Sequence, residues 1–373
     1  MNLSYWERKS WISNTDFTIV GSGIVGLNCA LELRARYPKA KILVLEKGIL
    51  PQGASTKNAG FACFGSISEI LADLRTHSEE ELAALVLDRW NGIQSLRKLL
   101  GDKAIGYEQN GGHELFLKQD AKSYQHCMEN IGKANELLAP IFKETVFKVS
   151  ENSFGFNGIQ RQYISHTLEG QIDTGKMMLS LVGLAQKSNI QVLNSITVED
   201  FVENGQGVSV KTNLFEFNTK KLLIATNGFA NSLLEENVLP ARAQIIITAP
   251  IKNLSIEGTF HLQEGYYYFR NIDNRILLGG GRNLDFKAEE TTQFGNTPLV
   301  LNKLEELLRT VILPYTPFEI AQQWSGIMGV GSQKKPIVRQ IGANTACGIR
   351  LGGMGIAIGT TTGRQLAHIF QEV

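Results

Sequence analysis

The sequence predicts an α/β fold in which two domains, each built from discontinuous segments, are interleaved. Glycine-containing turns that follow a strand stand near the beginning, the middle and the end of the chain, at 16–48, 221–231 and 350–371. A mainly helical piece, 78–138, and a mainly β piece, 240–329, lie between them. Because 373 residues can build two sizeable cores, we infer that the chain alternates between two domains.

The strongest motif lies at Asp16–Gly48. A short apolar run is followed by Gly21, Gly23 and Gly26 in G-x-G-x-x-G register, then by a helical pattern and a second apolar run. Gly21 allows a tight turn, Gly23 lets a pyrophosphate approach the backbone, and Gly26 lets helix and strand pack closely. Glu46 ends the second run, 20 residues after Gly26. This combination predicts a dinucleotide-binding unit.

The elements of this unit are a predicted buried strand at 17–20, a helix at about 25–36 and a second strand at 42–45. Phosphates would lie at the helix N-terminus, where unpaired N–H groups and the helix dipole favour negative charge. Glu46 would accept a hydrogen bond from a ribose hydroxyl, and its charge would oppose the 2′-phosphate of NADP. The alternative is a glycine-rich turn in an α/β domain that binds no nucleotide.

Composition and charge argue against several classes of protein. The 37 basic and 36 acidic residues give a net charge of +1, so no overall field favours nucleic acid or an anionic membrane. No run of 18 apolar residues and no signal peptide is present, and the four cysteines and six histidines show no metal-ligand spacing. We therefore expect a soluble cytoplasmic protein without a metal site, and the sequence does not indicate an oligomeric state.

Periodicity and capping residues predict the remaining elements. Helices are expected after the Ser78–Glu81 capping box, at about 121–138 with Pro140 as its end, at about 174–188, and from Pro298 onward. Strands are expected at 111–117, 190–194, 197–202, 207–212, 215–218, 221–225, 243–250, 261–268 and 275–279. Residues 1–15 and 141–170 give no clear pattern.

Four segments together resemble the FAD-dependent D-amino-acid oxidase superfamily, which includes glycine, sarcosine and γ-glutamylputrescine oxidases. These are the 21–26 fingerprint with its terminal acid, GASTKNAG at 53–60, ATNG at 225–228 and GGMGIAIGTTTG at 352–363. The resemblance implies a Rossmann-like FAD-binding domain interleaved with a mixed-sheet (α+β) substrate domain. The corresponding segments are 1–75, 154–240 and 330–373 for the FAD-binding domain, and 76–153 and 241–329 for the substrate domain.

The same resemblance implies the residues that hold the cofactor. For non-covalently bound FAD they are Gly21, Gly23, Ile24, Gly26, Glu46, Lys47, Ser55, Thr56, Asn58, Ala59, Gly60, Val198, Thr226, Asn227, Gly228, Gly353, Met354, Gly355 and Ile356. Segment 55–60 would cross the pyrophosphate and the flavin ring, and 226–228 would line the pyrophosphate and ribose. Segment 353–356 would place N–H groups and a helix dipole at flavin N1 and O2, where reduced flavin gathers negative charge. Without a cofactor, that last segment would be a tight turn before a terminal helix.

The substrate pocket is expected on the β-rich piece. Tyr266, Tyr268 and Arg270 would point to one face of a strand, since side chains alternate along it. A phenol or guanidinium there could bind a carboxylate or a polar tail. Arg282 is a similar candidate. The alternative for each is aromatic packing or a solvated arginine.

One departure from the family concerns Met328, in the tract WSGIMGVG. Glycine-oxidase-like members have W-x-G-x-R-P here, and the arginine holds the substrate carboxylate. Its loss disfavours a simple α-amino acid unless Arg270 or Arg282 substitutes, and favours amines of the γ-glutamylputrescine class. No cysteine stands in this tract, which agrees with dissociable FAD. The substrate residues we name are therefore Tyr268, Arg270 and Met328.

The predicted activity is oxidation of the C–N bond of a small amine or amino acid by hydride transfer to flavin N5. Such a step needs alignment more than an acid or base, because the cofactor carries the chemistry. Two alternatives stay open: a 2-hydroxy-acid or glycerol-3-phosphate-type dehydrogenase of the same superfamily, and a flavin-binding protein without turnover. The lysine that promotes oxygen reactivity in sarcosine oxidases would fall near Leu277, so the electron acceptor is open as well.

Overall fold

The computed structural model describes residues 3–370, with one chain folded around two large β-sheets. The strands are β1 (Thr15–Val20), β2 (Ile42–Leu45), β3 (Phe61–Ala62), β4 (Gly112–Leu115), β5 (Lys148–Glu151), β6 (Gln162–His166), β7 (Gly170–Gln171), β8 (Gln191–Leu193), β9 (Val198–Asn204), β10 (Gly207–Thr212), β11 (Glu216–Ile224), β12 (Leu239–Thr248), β13 (Thr259–Leu262), β14 (Tyr267–Ile272), β15 (Arg275–Gly280), β16 (Ile320–Val330), β17 (Ile337–Gln340) and β18 (Thr345–Ile349). The α-helices are α1 (Tyr5–Glu7), α2 (Ile24–Arg36), α3 (Ile67–Asp73), α4 (Glu79–Leu100), α5 (Asp102–Ile105), α6 (Ala121–Phe142), α7 (Thr174–Lys187), α8 (Pro298–Leu307) and α9 (Gly355–Ala367).

The first sheet has the strand order β17-β18-β11-β1-β2-β8, with the β9–β10 hairpin joined to β11. Strands β18, β11, β1, β2 and β8 run parallel, and β17 is antiparallel. Helices α2, α4, α7 and α9 contribute to one apolar core with this sheet, and β9 and β10 contribute to another. Its central strands are buried on both faces, which explains their continuous apolar sequences.

The second sheet has the order β16-β12-β15-β14-β13-β4-β6-β5. Strand β13 pairs in parallel with β4, whereas the other neighbours are antiparallel. Helix α8 packs on this sheet through Val300 and Leu304. A Rossmann-like parallel sheet beside a mixed sheet is the fold class that the sequence predicts, and the prediction is confirmed.

The predicted nucleotide unit is correct almost residue by residue. Strand β2 has the predicted bounds, and β1 and α2 begin two residues and one residue earlier than predicted. The close approach at Gly26 is also present, because a Cβ there would lie 1.9 Å from the carbonyl oxygen of Gly21. The capping box of Ser78 and Glu81 starts α4 as predicted.

Helix α6 differs from its prediction, since it continues through Pro140 to Phe142. An interior proline removes one helix hydrogen bond and clashes with the preceding turn. The extra turn places the Phe142 ring against Phe64, with centroids 4.8 Å apart, and against Trp90, at 5.3 Å. We attribute the continued helix to this aromatic burial, which offsets the cost of the proline.

Two strand predictions were also wrong. The segments 215–218 and 221–225 form one strand, β11, and the predicted strand 261–268 is a hairpin of β13 and β14. The hairpin turn contains Gln263 and Glu264 with positive φ angles of 52° and 56°. Non-glycine residues rarely adopt this conformation, so the turn is difficult to recognise from sequence.

The predicted domain segments remain an interpretation, and their outermost residues, 1–2 and 371–373, lie outside the described residues. Strand β6, in the segment 154–240 that was predicted to bind FAD, pairs in the second sheet. In the segment 76–153 predicted for substrate, helix α4 places Ile93 and Leu96 in the core shared with α9. The chain therefore crosses between the two sheets more often than the predicted segments imply.

Candidate active site

A cavity of about 1250 Å³ is lined by residues of both sheets. The glycine turn after β1, the loop 53–60, the turn after β11 and the turn before α9 all contribute to its wall. Predicted cofactor residues on this wall are Gly21, Gly23, Ile24, Glu46, Lys47, Ser55, Asn58, Ala59, Gly60, Val198, Thr226, Asn227, Gly228, Gly353, Met354, Gly355 and Ile356. Tyr268 and Met328 of the predicted substrate residues also line it.

The first turn is shaped for a close approach of a ligand to the backbone. Gly21 has φ +104°, and a Cβ there would lie 2.8 Å from the carbonyl oxygen of Ala225. A Cβ on Gly23 would lie 2.8 Å from Ser55 Oγ. That hydroxyl accepts a 3.0 Å hydrogen bond from the N–H of Ile24, the first residue of α2. The loop 53–60 is thus joined directly to the N-terminus of the nucleotide helix.

Glu46 is buried and fixed by four donors. Its Oε2 accepts bonds from the N–H and hydroxyl of Ser22, at 3.1 and 2.6 Å. Its Oε1 accepts bonds from the N–H groups of Gly48 and Gln52, at 2.9 and 3.3 Å. The carboxylate therefore holds the two turns that flank it, while it also lines the cavity. Its contact with a ribose stays a prediction.

The loop 53–60 is closed by its own side chains. Asn58 Nδ2 donates to the carbonyl oxygens of Ala54 and Ser55, and Asn58 Oδ1 accepts from the N–H of Gly60 at 2.8 Å. Thr56, by contrast, donates its hydroxyl to the carbonyl oxygen of Pro51 and lines a separate, smaller cavity of about 380 Å³. Thr56 therefore does not line the main cavity, and its contact with the cofactor stays a prediction.

Arg270 also lies away from the main cavity, contrary to the expectation that it binds substrate. Its guanidinium is buried behind the loop 53–60, where Nε donates to the carbonyl oxygen of Ala59. Nη2 donates to the carbonyl oxygen of Ile172 at 2.8 Å. Nη1 donates to the carbonyl oxygen of Asn271 at 3.3 Å, and the side chain lines the smaller cavity. The physical reason is that the loop passes between this side chain and the main cavity.

Gly26 is the remaining predicted cofactor residue that does not line the cavity. It lies beneath the turn, where it contacts the backbone of Gly21 and the side chain of Ile19. Its function is to let α2 pack closely on β1, so it shapes the turn without facing a ligand.

The C-terminal turn brings the N-terminus of α9 to the cavity. Within residues 3–370 no side chain caps α9, whose Gly355 and Ile356 line the wall together with Met354. Asn227 Oδ1 accepts a 3.1 Å bond from the N–H of Leu351 and so ties this turn to the turn after β11. The N–H groups of the first helical turn are therefore free of side-chain partners on the cavity side.

Across the second sheet, one row of directly paired residues reaches the cavity through His261, Tyr268 and Ile245, whereas Trp324 at the end of the row lines the smaller cavity. The row runs through His261, Tyr268, Gly279, Ile245 and Trp324 on β13, β14, β15, β12 and β16. Gly279 provides room for a phenol, because a Cβ there would lie 2.5 Å from the Tyr268 ring. Burial raises the pKa of Tyr268 to about 12, so its hydroxyl stays a hydrogen-bond donor at neutral pH.

Sequence reasoning missed His261, which is not among the predicted site residues. The ring lines the cavity, 5.3 Å from the ring of Phe61, another lining residue that was not predicted. The signal that could have found them was the turn Gln263–Gly265, since a hairpin there places His261 beside Tyr268.

A model of the family described as FAD dependent oxidoreductase matches residues 16–369. The chain belongs to this family. The predicted superfamily, the predicted enzyme class and the predicted cofactor, FAD, are confirmed by this match.

Several relatives of this FAD-dependent oxidoreductase are distant in sequence. It is 25% identical to the Synechocystis sp. bifunctional protein ThiO/ThiG. The match covers 63% of this chain and 33% of that protein. This chain is 21% identical to the probable oxidoreductase OrdL of Haemophilus influenzae over 96% of the chain and 83% of that protein. It is 23% identical to the mitochondrial L-2-hydroxyglutarate dehydrogenase of Bos taurus over 76% of the chain and 64% of that protein.

Solved structures show the same fold. Glycine oxidase from Geobacillus kaustophilus superposes with a TM-score of 0.76 at 18% identity, covering 95% of this chain and 94% of that one. L-proline dehydrogenase from P. horikoshii gives a TM-score of 0.75 at 17% identity, covering 96% and 93%. At these identities the likeness concerns the fold and not the substrate.

The residues of the cavity fit FAD. Gly21 and Gly23 place side-chain-free backbone on the cavity wall, where a diphosphate needs close approach, and the Thr226 hydroxyl is buried on the wall without a hydrogen-bond partner in the described part of the chain. The α9 N-terminus offers N–H donors at a second point. The volume exceeds the roughly 300–1000 Å³ of a pocket for one drug-sized ligand, which agrees with a dinucleotide plus a substrate.

Among residues 3–370, no group of three or more histidine, cysteine, aspartate or glutamate side chains is arranged to hold a metal ion. Within the same residues, no helix is both long enough and apolar enough to cross a membrane.

Proposed function

We propose that this protein oxidises the C–N bond of a small amine or amino acid, with hydride transfer to N5 of non-covalently bound FAD. The observation that carries the proposal is the row through His261 and Tyr268, which faces the same cavity as the loop 53–60 and the α9 N-terminus. Bound FAD supplies the hydride-accepting chemistry. The side chains of the row orient a small substrate, and the surrounding sheet excludes water.

An amine suits the side chains of this row, His261 and Tyr268, better than an alcohol does. Oxidation of a hydroxy acid requires a base that accepts the hydroxyl proton. Burial acts to lower the pKa of His261, but the negative charge and hydrogen bond of Glu169 outweigh it and raise this pKa to about 9. The imidazole is therefore protonated at neutral pH, and the Tyr268 phenol is protonated too. Neither group is a ready base, whereas a neutral amine needs none.

Non-covalent binding is supported by the state of the cysteines. Cys63 is the cysteine on the cavity wall within residues 3–370, and burial raises the pKa of its thiol well above the ordinary value. The thiolate, not the thiol, forms covalent bonds, so Cys63 is unsuited to flavin attachment. Acid precipitation should release all the flavin into the supernatant; flavin retained on the pellet would contradict this.

The second candidate is a 2-hydroxy-acid dehydrogenase, which the similarity to L-2-hydroxyglutarate dehydrogenase favours. The third, a flavin-binding protein without turnover, makes no use of the polar row on the second sheet. The names of two structural neighbours, glycine oxidase and L-proline dehydrogenase, support the hypothesis that this chain oxidises an amine or amino acid.

Anaerobic mixing of the holoenzyme with a panel of amines, amino acids and 2-hydroxy acids tests the three functions. The flavin is the chromophore, and we expect its absorbance at roughly 450 nm to bleach when an amine or amino acid is added. Bleaching by hydroxy acids alone would establish the second candidate, a 2-hydroxy-acid dehydrogenase. The absence of bleaching with every compound would establish the third, a flavin-binding protein without turnover. Release of hydrogen peroxide in air then separates an oxidase from a dehydrogenase.

A further inference from the structure

Three polar side chains lie next to one another on the cavity-facing side of the second sheet. His261 on β13 is directly opposite Tyr268 on β14 and Glu114 on β4. Residues that are directly opposite in paired strands point to the same face, with Cβ atoms about 5 Å apart. Of the three, His261 and Tyr268 line the cavity. Glu114 instead binds the N–H and hydroxyl of Ser68.

Glu169 fixes the His261 ring through its Nε2 atom. Its Oε1 lies 2.7 Å from His261 Nε2, and its Oε2 lies 3.1 Å from His166 Nε2. The carboxylate is completely buried, in a space that exists because residue 112 is glycine; a Cβ there would lie 2.4 Å from Glu169 Oε2. Since Nε2 of His261 is bonded to Glu169, Nδ1 is the ring nitrogen left for a ligand in the cavity.

Glu169 and His261 form a charged pair at neutral pH. Burial acts to raise the pKa of Glu169, but His261 and His166 outweigh it and hold this pKa below its ordinary range. Glu169, Glu69 and Glu114 together keep the pKa of His261 raised, against the effect of burial. Nearby, burial raises the pKa of Glu114 to about 7 and lowers that of His113 to about 4. The imidazolium of His261 is thus a cation at the wall of the cavity.

His261 is buried, 5% exposed, and this distinguishes it from the other cations on the wall. Lys57 Nζ lies over the ring of Phe294, and the Arg282 guanidinium lies over Phe286. Both side chains are only partly buried, and the remaining lysines of the wall, Lys47 and Lys334, are exposed. A charge in a poorly solvated position interacts more strongly with a ligand than one in contact with water.

We propose that His261, held in place by Glu169, binds the carboxylate of an amino-acid substrate, with the Tyr268 hydroxyl as a second donor. This inference rests on the proposed function and narrows its substrate class to amines that carry a carboxylate. It also explains how the protein functions with Met328 at the place of a family arginine and with Arg270 turned away. Nδ1–H of His261 is a charge-assisted donor to one carboxylate oxygen, and the Tyr268 O–H is a neutral donor to the other.

Benzoate, a carboxylate that is not oxidised, and its uncharged analogue benzamide test the proposal through the change in flavin absorbance when they bind to the holoenzyme. In the unmodified protein we expect the benzoate dissociation constant to change only modestly near pH 7, where Glu114 titrates, and to increase by about tenfold per pH unit above pH 9, where His261 loses its proton. The benzamide constant should not change with pH. A benzoate constant that does not depend on pH would overturn the proposal without any variant.

Variants test whether His261 is the residue that binds benzoate. His261→Asn should weaken benzoate binding at least about tenfold, the value of one hydrogen bond to a charged group, and leave benzamide binding unchanged. Glu169→Gln, which keeps the ring but removes the partner charge, should weaken benzoate in the same direction. The matched control is His113→Asn, whose ring stacks on Phe260 and does not line the cavity. Equal benzoate affinity in His261→Asn and the unmodified protein, or equal loss in His113→Asn, would overturn the proposal.

The amine screen separates this inference from the proposed function. If amines without a carboxylate reduce the flavin as fast as amino acids do, the function stands and the carboxylate site is refuted. If benzoate behaves as expected but no amine reduces the flavin, the site stands and the proposed function fails.

Discussion

The Arg270 guanidinium donates a hydrogen bond to the carbonyl oxygen of Ala59, in the loop that forms one wall of the cavity. A second bond, to the carbonyl oxygen of Ile172, fixes the other side of the same guanidinium. A Cβ on Gly60 would lie 2.8 Å from Nη2, so the loop lies directly on this side chain. Arg270 is a positioning residue for the loop, not a ligand for substrate.

Replacing Arg270 with Met should therefore loosen the loop. The carbonyl groups of Ala59 and Ile172 would lose a buried charged donor, and we expect a loss of about 2 kcal/mol or more in the free energy of unfolding. FAD affinity should fall by about tenfold, because the loop must reorder on binding. The control is Arg309→Met, which removes a surface guanidinium over Phe318. Thermal unfolding and FAD titration check both effects, and equal values for the two variants would contradict the assignment.

Glycines in the cavity wall should differ sharply in their tolerance of alanine. Gly21→Ala places a Cβ 2.8 Å from the carbonyl oxygen of Ala225 at a φ of +104°, which L-residues rarely adopt. We expect FAD binding to fall at least about tenfold, since about 1–3 kcal/mol of backbone strain must be relieved by shifting the turn. Gly53→Ala is the matched control, because a Cβ there meets no atom within 4 Å. FAD titration of both apoproteins measures the difference; equal tolerance would show that the turn is not tight.

Gly279→Ala should change substrate binding and leave the cofactor in place. The new methyl group would lie 2.5 Å from the Tyr268 ring and would displace the phenol. We therefore expect the KM of the true substrate to rise by about tenfold, from the loss of about one hydrogen bond, with little change in FAD affinity. A variant that binds FAD poorly but keeps its KM would contradict the placement of Tyr268 in the substrate part of the cavity.

Local patterns predicted the nucleotide unit well because its constraints are short in range. The turn requires Gly21 and Gly23, the close packing requires Gly26, and the strands are apolar runs buried on both faces. All of these features lie within 33 consecutive residues, from Asp16 to Gly48. No information from distant parts of the chain was needed.

The substrate wall was harder to predict because it is set by pairing between distant segments. Alternation correctly placed Tyr268 and Arg270 on one face of β14. It could not show that the loop 53–60 covers Arg270 and leaves Tyr268 open to the cavity. His261 faces the cavity because a turn with positive φ at Gln263 and Glu264 joins β13 to β14. The sequence carries no local signal for the covering of Arg270, and Gly265 is the local signal for the hairpin turn.

The ion pair of Glu169 and His261 should make stability depend on pH. The pKa of His261 is raised, so its contribution is complete below its unfolded value of about 6.5 and is lost as the pH rises through about 9. The pKa of Glu169 is lowered, so its contribution is complete above its unfolded value of about 4.3 and is lost as the pH falls below that value. Both contributions are complete together only between about pH 4.3 and about pH 6.5.

Glu169→Gln removes this pair, so its cost in unfolding free energy should itself vary with pH. The difference between unmodified protein and variant should be largest near about pH 6 and should shrink toward about pH 9 and toward about pH 3. Glu114, whose pKa burial raises to about 7, is present in both proteins and largely cancels from the difference. The control is Glu216→Gln, an exposed residue on β11. Denaturant unfolding at a series of pH values measures the difference; a cost that is constant across this range would show that Glu169 and His261 are not an ion pair.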